Sequence, residues 1–314
     1  MDIKKQLKIL ENQISRIEGK LKLKINKIAT TENETTGFYS KMQKELKQDY
    51  EDLRKLFSSK LAKTLPSAYY DSLKENITRL KSLKFNGNKK IDYTQFIKAT
   101  SHKRIIKNLI NEGAQSFYLG LDRDYKSLTR LLNATQQTLI KENKINKLID
   151  EGFTEKKTLY NATKKLRNEL TKKAIDGKFV TVLNKNGKEM HFEIKYYSEM
   201  VAQSKYLEAM NTATINTALE VGSDLVQMDN HNSECEICAP LEGKVYSISG
   251  KDPDFPVLDF SVPLHSHCYH SLTVIFRETL ENRGIQQYID FANGESDKMP
   301  YNNSYKPLSD RKLA

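Results

Sequence analysis

The stretch DNHNSECEICAPLEGKVYSISG (229–250), with its continuation SVPLHSHCYH (261–270), holds all three cysteines and four of the six histidines in the 314-residue chain. Cys235 and Cys238 are separated by two residues, His265 and Cys268 likewise, and 26 residues lie between the pairs. Two intervening residues let both members of a pair face one ion from a tight turn, and a second pair closes a tetrahedral shell. Thiolate with imidazole is the donor set of a borderline-soft divalent cation, above all zinc. Four protein ligands leave no open position, which is the pattern of a structural site rather than a catalytic one. Such an ion also stabilises a loop-rich segment that has little core of its own, because its binding free energy is folding free energy. The reading therefore expects Cys235, Cys238, His265 and Cys268 to hold a structural zinc. His231, His267 and His270 compete with His265 or hydrogen-bond behind the ligands.

Other chemistries fit these residues less well. A redox Cys-x-x-Cys needs a strand-to-helix setting that is not evident here. A zinc deaminase needs His-x-Glu followed by Pro-Cys-x-x-Cys. In this chain His191 lies in an alternating β-like run, and Glu234 stands where that proline belongs. A metal-dependent nuclease remains an alternative because Leu264–His270 is histidine-dense. The nearby Asp252, Asp254 and Asp259 read as solvated loop carboxylates. No glycine-rich phosphate loop and no nucleophile elbow is present.

Working outward, Leu225–Met228 and Leu272–Phe276 read as strands on either side of the cluster. Tyr197–Val221 reads as a helix closed by Gly222. Phe179–Leu183 and Met190–Ile194 around Asn186-Gly187 read as a β-hairpin. Upstream, helical patterns dominate residues 38–175. Breaks are expected at Pro66, Asn86-Gly87-Asn88, Asn111-Glu112-Gly113, Gly120 and Glu151-Gly152, with Thr154 as an N-cap. Ile3, Leu7, Leu10, Ile14, Ile17 and Leu21 are spaced 4, 3, 4, 3, 4, a heptad seam that Lys24 interrupts before Ile28. That seam must meet a partner helix, in the same chain or in a second copy. The expected architecture is mainly α, with an N-terminal helical region followed by a small α+β zinc-knuckle domain. Its parts are an amphipathic helix (1–29), a basic helical bundle (38–175), a hairpin, helix and knuckle domain (176–292) and a flexible tail (293–314).

The net charge of +11 is unevenly spread. Residues 1–178 carry 39 Lys/Arg against 21 Asp/Glu, a charge of +18, while residues 179–314 carry −7. Dispersed Lys and Arg attract phosphates without any motif, so the basic half is a candidate polyanion surface. No apolar run approaches the ~18–20 residues that span a bilayer, and the N-terminus lacks the apolar core of a signal peptide. Three cysteines exclude a disulfide scaffold.

The run Cys235-Glu-Ile-Cys-Ala-Pro-Leu-Glu-Gly-Lys-Val-Tyr246, then Phe255-Pro256, then Pro263–His270, resembles the C-terminal signature of tailed-phage minor capsid proteins. These are the phage Mu F-like head-morphogenesis proteins and related minor capsid proteins of phages of Gram-positive hosts. Their pattern, roughly C-x-x-C-x-x-x-x-G-K-V-[YF], a loop, then P-L-H-x-x-C-x-[HC], is met at every position. His267 replaces a usual Asn, and Gln203-Ser204-Lys205 stands where many relatives carry an Arg-Thr pair. The resemblance covers about 195–276. It implies a non-enzymatic virion protein in the capsid interior, in the host cytoplasm during assembly. Its implied partners are the portal protein or inner capsid surface and packaged double-stranded DNA, with which some members are delivered. A helical adaptor that self-associates through the N-terminal seam, without touching DNA, is the other alternative. No membrane contact is expected.

Overall fold

The computed structural model describes residues 3–30, 36–82, 92–149, 168, 171–172, 174–184 and 186–300. The chain is mainly helical. Its elements are α1 (Ile3–Thr30), α2 (Thr36–Ser82), α3 (Tyr93–Lys98), α4 (Thr100–Ile149), the hairpin strands β1 (Val180–Leu183) and β2 (Glu189–Phe192), and α5 (Ile194–Glu220). Then follow β3 (Leu225–Met228), β4 (Val245–Ser247), β5 (Leu272–Ile275), α6 (Arg277–Glu281) and α7 (Ile285–Asn293). These elements form two compact units, and each is discontinuous in sequence. One comprises residues 7–60 and 114–199, the other 1–6, 61–113 and 200–314.

In the first unit the α1 seam is covered by the chain itself. Leu10, Ile14, Leu21, Ile25 and Ile28 are buried. The seam does not end at Lys24, whose ammonium lies 2.5 Å from the Asp49 carboxylate on α2 while Ile25 continues the apolar face. The side chains of Ile3 and Leu7 lie outside the described residues, so the described part of the seam leaves no apolar stripe for a second copy. Between α2 and α4, Tyr50 donates to buried Asp124 at 2.6 Å, and Phe57 stacks on Phe117 with ring centroids 4.1 Å apart. β1 and β2 pair antiparallel, with Val182 opposite Met190. Asn184 Oδ1 accepts from the backbone N–H of Asn186 and of Lys188, which closes the hairpin.

Three of the expected helix breaks do not occur. α2 runs through Pro66. The proline costs a helix of the order of 3 kcal/mol, but Leu61, Leu65, Tyr69 and Leu73 are buried on the continuing face and offset it. α4 runs through both Gly113 and Gly120. A Cβ at Gly120 would come within 2.6 Å of Val180 Cγ1, and one at Gly113 within 3.0 Å of Leu61 Cδ1. These glycines permit close approach of neighbouring elements; they do not terminate a helix. The turns expected at Asn86–Asn88, at Glu151-Gly152 and at Thr154 lie outside the described residues.

The second unit is built on a three-stranded antiparallel sheet in the order β4-β3-β5. Alternation of side chains sends successive residues to opposite faces. Val226, Met228, Tyr246, Val274 and Phe276 pack with Leu80, Ala218 and Val221 from α2 and α5 and its end. Leu225, Val245 and Ile275 pack with Phe255, Leu280, Tyr288 and Ala292 on the other face. α5 ends at Gly222, whose φ of +79° lets the N–H of Ser223 reach the carbonyl of Ala218. Strand β4 and helices α6 and α7 were not resolved by pattern, because three residues show no period and a sheet buried on both faces leaves little polar alternation. Both outer edges of the sheet are engaged at individual positions. Ser247 on β4 exchanges backbone hydrogen bonds with Pro256 and Leu258, and the Arg79 guanidinium reaches the Val274 carbonyl on β5. Residues 294–300 follow α7, with Met299 Sδ 3.1 Å from Asn230 Nδ2. The remainder of the expected tail lies outside the described residues.

Candidate metal centre

The two arms of the cysteine–histidine cluster adjoin neighbouring strands of the sheet, β3 and β5. β3 ends at Met228, and the chain passes through His231 and Ser233 into the Cys235–Cys238 turn. That turn closes by the Ala239 N–H donating to the Cys235 carbonyl at 2.9 Å, and Pro240 opens a short 3-10 turn (Ala239–Leu241) that leads to β4. The second arm arrives at His265. Its turn closes by the Cys268 N–H donating to the His265 carbonyl at 3.0 Å, just before β5. Both two-residue spacings are therefore tight turns, each placing its paired side chains on the same side.

Of the four residues expected from spacing, Cys235, Cys238 and His265 form one group, and Cys268 meets it through Cys238. His265 Nε2 lies 3.3 Å from Cys235 Sγ and 3.1 Å from Cys238 Sγ, and Cys238 Sγ lies 3.9 Å from Cys268 Sγ. A tetrahedral zinc with ordinary bond lengths would set two thiolates about 3.8 Å apart, and a thiolate and an imidazole nitrogen about 3.6 Å apart. The three observed separations lie within about half an ångström of zinc-shell values, and the chemistry of the donors fits the ion. A fifth donor is also present. His270 Nδ1 faces Cys268 Sγ at 3.4 Å, so two overlapping triads, Cys235/Cys238/His265 and Cys238/Cys268/His270, share Cys238. His267 is exposed and its ring takes no part in either triad.

The electrostatics of the bare cluster are those of crowded thiols. Burial, then the charge of Cys268, pushes the Cys238 thiol up to about 12. Burial also opposes ionisation of Cys268, but hydrogen bonds from His270 and from the backbone of His270 and Leu264 outweigh it and bring that thiol down to about 7. The backbone N–H groups of Cys238 and Ile237 lower Cys235. Burial, with His267 and His270 nearby, lowers His265 and keeps it in the neutral form that can ligate. A cation bound among these sulfurs would offset both the burial and the neighbouring thiolate charge that keep Cys238 protonated.

Spacing did not reveal the carboxylates behind the cluster. Glu242, 5% exposed, accepts from the Ser233 N–H at 3.2 Å through each oxygen and from His270 Nε2 at 2.5 Å. It therefore ties the first arm to the second. Asp229 accepts from the Ser271 N–H and hydroxyl and lies 3.2 Å from His231 Nε2, and that contact raises the His231 value. From α5, buried Asn211 donates to the carbonyls of Val262 and His270 and accepts from the Leu272 N–H. Only the position of Glu242 beside Gly243, within the Cys-x-x-Cys-to-β4 motif, could have drawn attention to it in the sequence.

A family model described as Phage minor capsid protein 2 matches residues 92–255, about half of the chain. The chain belongs to this phage minor capsid family. The match runs from α3 through β4 and includes Cys235, Cys238 and Glu242; the second arm, His265–His270, lies beyond it. Neither the curated proteins nor the solved structures hold a match. Membership makes the chain a structural protein of the virion, with virion components as its partners. Among the described residues, no helix of this minor capsid protein is long and apolar enough to cross a membrane.

Proposed function

We propose that this minor capsid protein is a non-enzymatic head-morphogenesis component inside the head, near the portal. Its Cys/His centre holds a structural zinc through Cys235, Cys238, His265 and Cys268. Its basic helices bind packaged DNA through phosphates, without reading sequence. The observation that carries this reading is family membership joined to the uneven charge of the chain. Residues 7–60 and 114–199 together carry +10, and residues 61–113 of the other unit carry +7, whereas residues 200–314 carry −7. The acidic sheet-bearing segment is suited to protein contact, at the portal or inner shell, and the basic helices to a phosphate-rich interior.

The test is a mobility shift of metal-replete protein with linear duplex DNA and Mg²⁺ over a range of salt. Salt-sensitive retardation of intact DNA supports the reading, and a flat salt response removes its DNA part. A cavity of about 350 Å³ lined by His231, His265, His267 and His270 beside the cysteines favours a second reading, a metal-dependent nuclease. Shortened DNA in the same gel, lost on His265→Ala, would establish that reading instead.

A further inference from the structure

The cations of this chain differ in their company. On the long helices α1 and α2 acids are interspersed among the cations, and some pair one turn apart: Lys8 with Glu11, Lys22 with Glu18, Lys47 with Glu51. This is the ordinary arrangement of a solvated helix face, in which pairs three or four residues apart stabilise the helix slightly. Residues 93–111 are different. They contain Lys98, Lys103, Arg104 and Lys107 and no Asp or Glu at all. All four cations are exposed, and none is within ion-pair distance of a described carboxylate. The bounding acids are Asp92, whose side chain caps α3 by accepting from the N–H groups of Thr94 and Gln95, and Glu112, which Lys205 engages at 2.9 Å.

Lys103, Arg104 and Lys107 recur at helical spacing on the outer face of α4, opposite buried His102, Ile106 and Leu109. That face is held rigidly. Asn216 donates to the Tyr69 hydroxyl at 2.6 Å, Tyr69 donates to His102 Nδ1 at 2.8 Å, and His102 Nε2 donates to the Phe96 carbonyl at 2.9 Å. Like charges one turn apart on a helix cost a few tenths of a kcal/mol per pair. An uncompensated row on a fixed base therefore lowers stability unless an anion meets it. The cations are exposed and line neither described cavity, and such an open row fits an extended polyanion.

We propose that Lys98, Lys103, Arg104 and Lys107 form the principal contact of this protein with the phosphate backbone of duplex DNA. The inference rests on the DNA-binding reading above and names the surface that carries it. The surface lies in the unit that also bears the metal centre.

The test compares full-length, metal-replete wild type with the triple variant Lys103→Gln/Arg104→Gln/Lys107→Gln and with a control, Lys8→Gln/Lys22→Gln/Lys47→Gln. Binding to linear duplex DNA is titrated at several salt concentrations, with melting curves to check folding. The stripe variant is expected to melt like wild type and to lose affinity on the order of a hundredfold near 0.1 M salt. Its log–log salt slope should flatten by about 2.7, at about 0.9 per phosphate contact. The control is expected to change much less. Wild type that binds equally well with the stripe removed, or a control that loses as much, overturns the assignment of the surface while DNA binding stands. Wild type that fails to bind at low salt overturns both.

Discussion

Glu242 Oε1 lies 2.5 Å from His270 Nε2, and both side chains are 5% exposed. One carboxylate thus holds the imidazole of the second arm while its oxygens accept from the Ser233 N–H of the first. Partners behind metal ligands commonly contribute 10–100-fold in metal affinity. Glu242→Ala is expected to weaken zinc binding by a factor in that range, and Glu242→Gln by less. Competition with a chromophoric chelator measures it. His270→Gln should weaken binding similarly, and the double variant should lose less than the sum of the two. Wild-type affinity in Glu242→Ala would remove the role.

Removing a ligand should act on one unit. Cys235→Ser or Cys268→Ser, or chelation of the wild type, is expected to lower the melting temperature of the sheet-bearing unit. The unit containing α1 and the β1–β2 hairpin should keep its helical signal. Differential scanning calorimetry with and without chelator separates the two transitions, and a melting profile indifferent to metal would refute the ligand assignment.

Tyr50 and Asp124 make a sharper test of the first unit. Burial, then the Asp124 charge, holds the tyrosine well above its ordinary value, so its proton stays in the bond. Tyr50→Phe deprives a fully buried carboxylate of a 2.6 Å donor and should cost about 1–3 kcal/mol in denaturant unfolding.

The two α4 glycines should respond unequally to Ala. Gly120→Ala drives a methyl into Val180 Cγ1 and is expected to destabilise by about 1–3 kcal/mol. At Gly113 the neighbours, Leu61 Cδ1 at 3.0 Å and Lys205 Cγ at 3.1 Å, are ends or stems of flexible side chains. There the gain in helix propensity of about 1 kcal/mol should leave the change small. Paired urea melts measure both.

His102 supplies a pH dependence. Burial lowers its value, more than the bond to the Phe96 carbonyl raises it. The unfolded chain therefore takes the proton first. The contribution of His102 to stability is complete above the unfolded value of about 6.5 and is lost as pH falls from there toward the folded value. Melting temperatures of wild type and His102→Asn should converge between pH 7 and pH 5. A constant difference would contradict the sign.

Much of the site is legible from residue spacing because a two-residue gap leaves few ways for both side chains to face one ion. Helix α5 and the hairpin are legible because Gly222 and Asn186-Gly187 sit where the backbone must turn. The continuity of α2 through Pro66 and of α4 through Gly113 and Gly120 is not, since local propensity argues for a break and only packing from elsewhere in the chain reverses it. Glu242 is equally silent in sequence. A buried carboxylate is recognised by the partners that fold around it, and those are Ser233, nine residues away, and His270, 28 residues away.

The engaged rims of the β4-β3-β5 sheet have a further consequence. An open strand edge is a template for pairing with another chain, and the hazard grows with local concentration. Here the Pro256–Leu258 segment lies along β4, and the Arg79 guanidinium meets the Val274 carbonyl on β5. Among the described residues the β4 rim is thus closed to strand addition at Ser247 and the β5 rim is hindered at Val274, which favours association of copies through side-chain surfaces that can be specific.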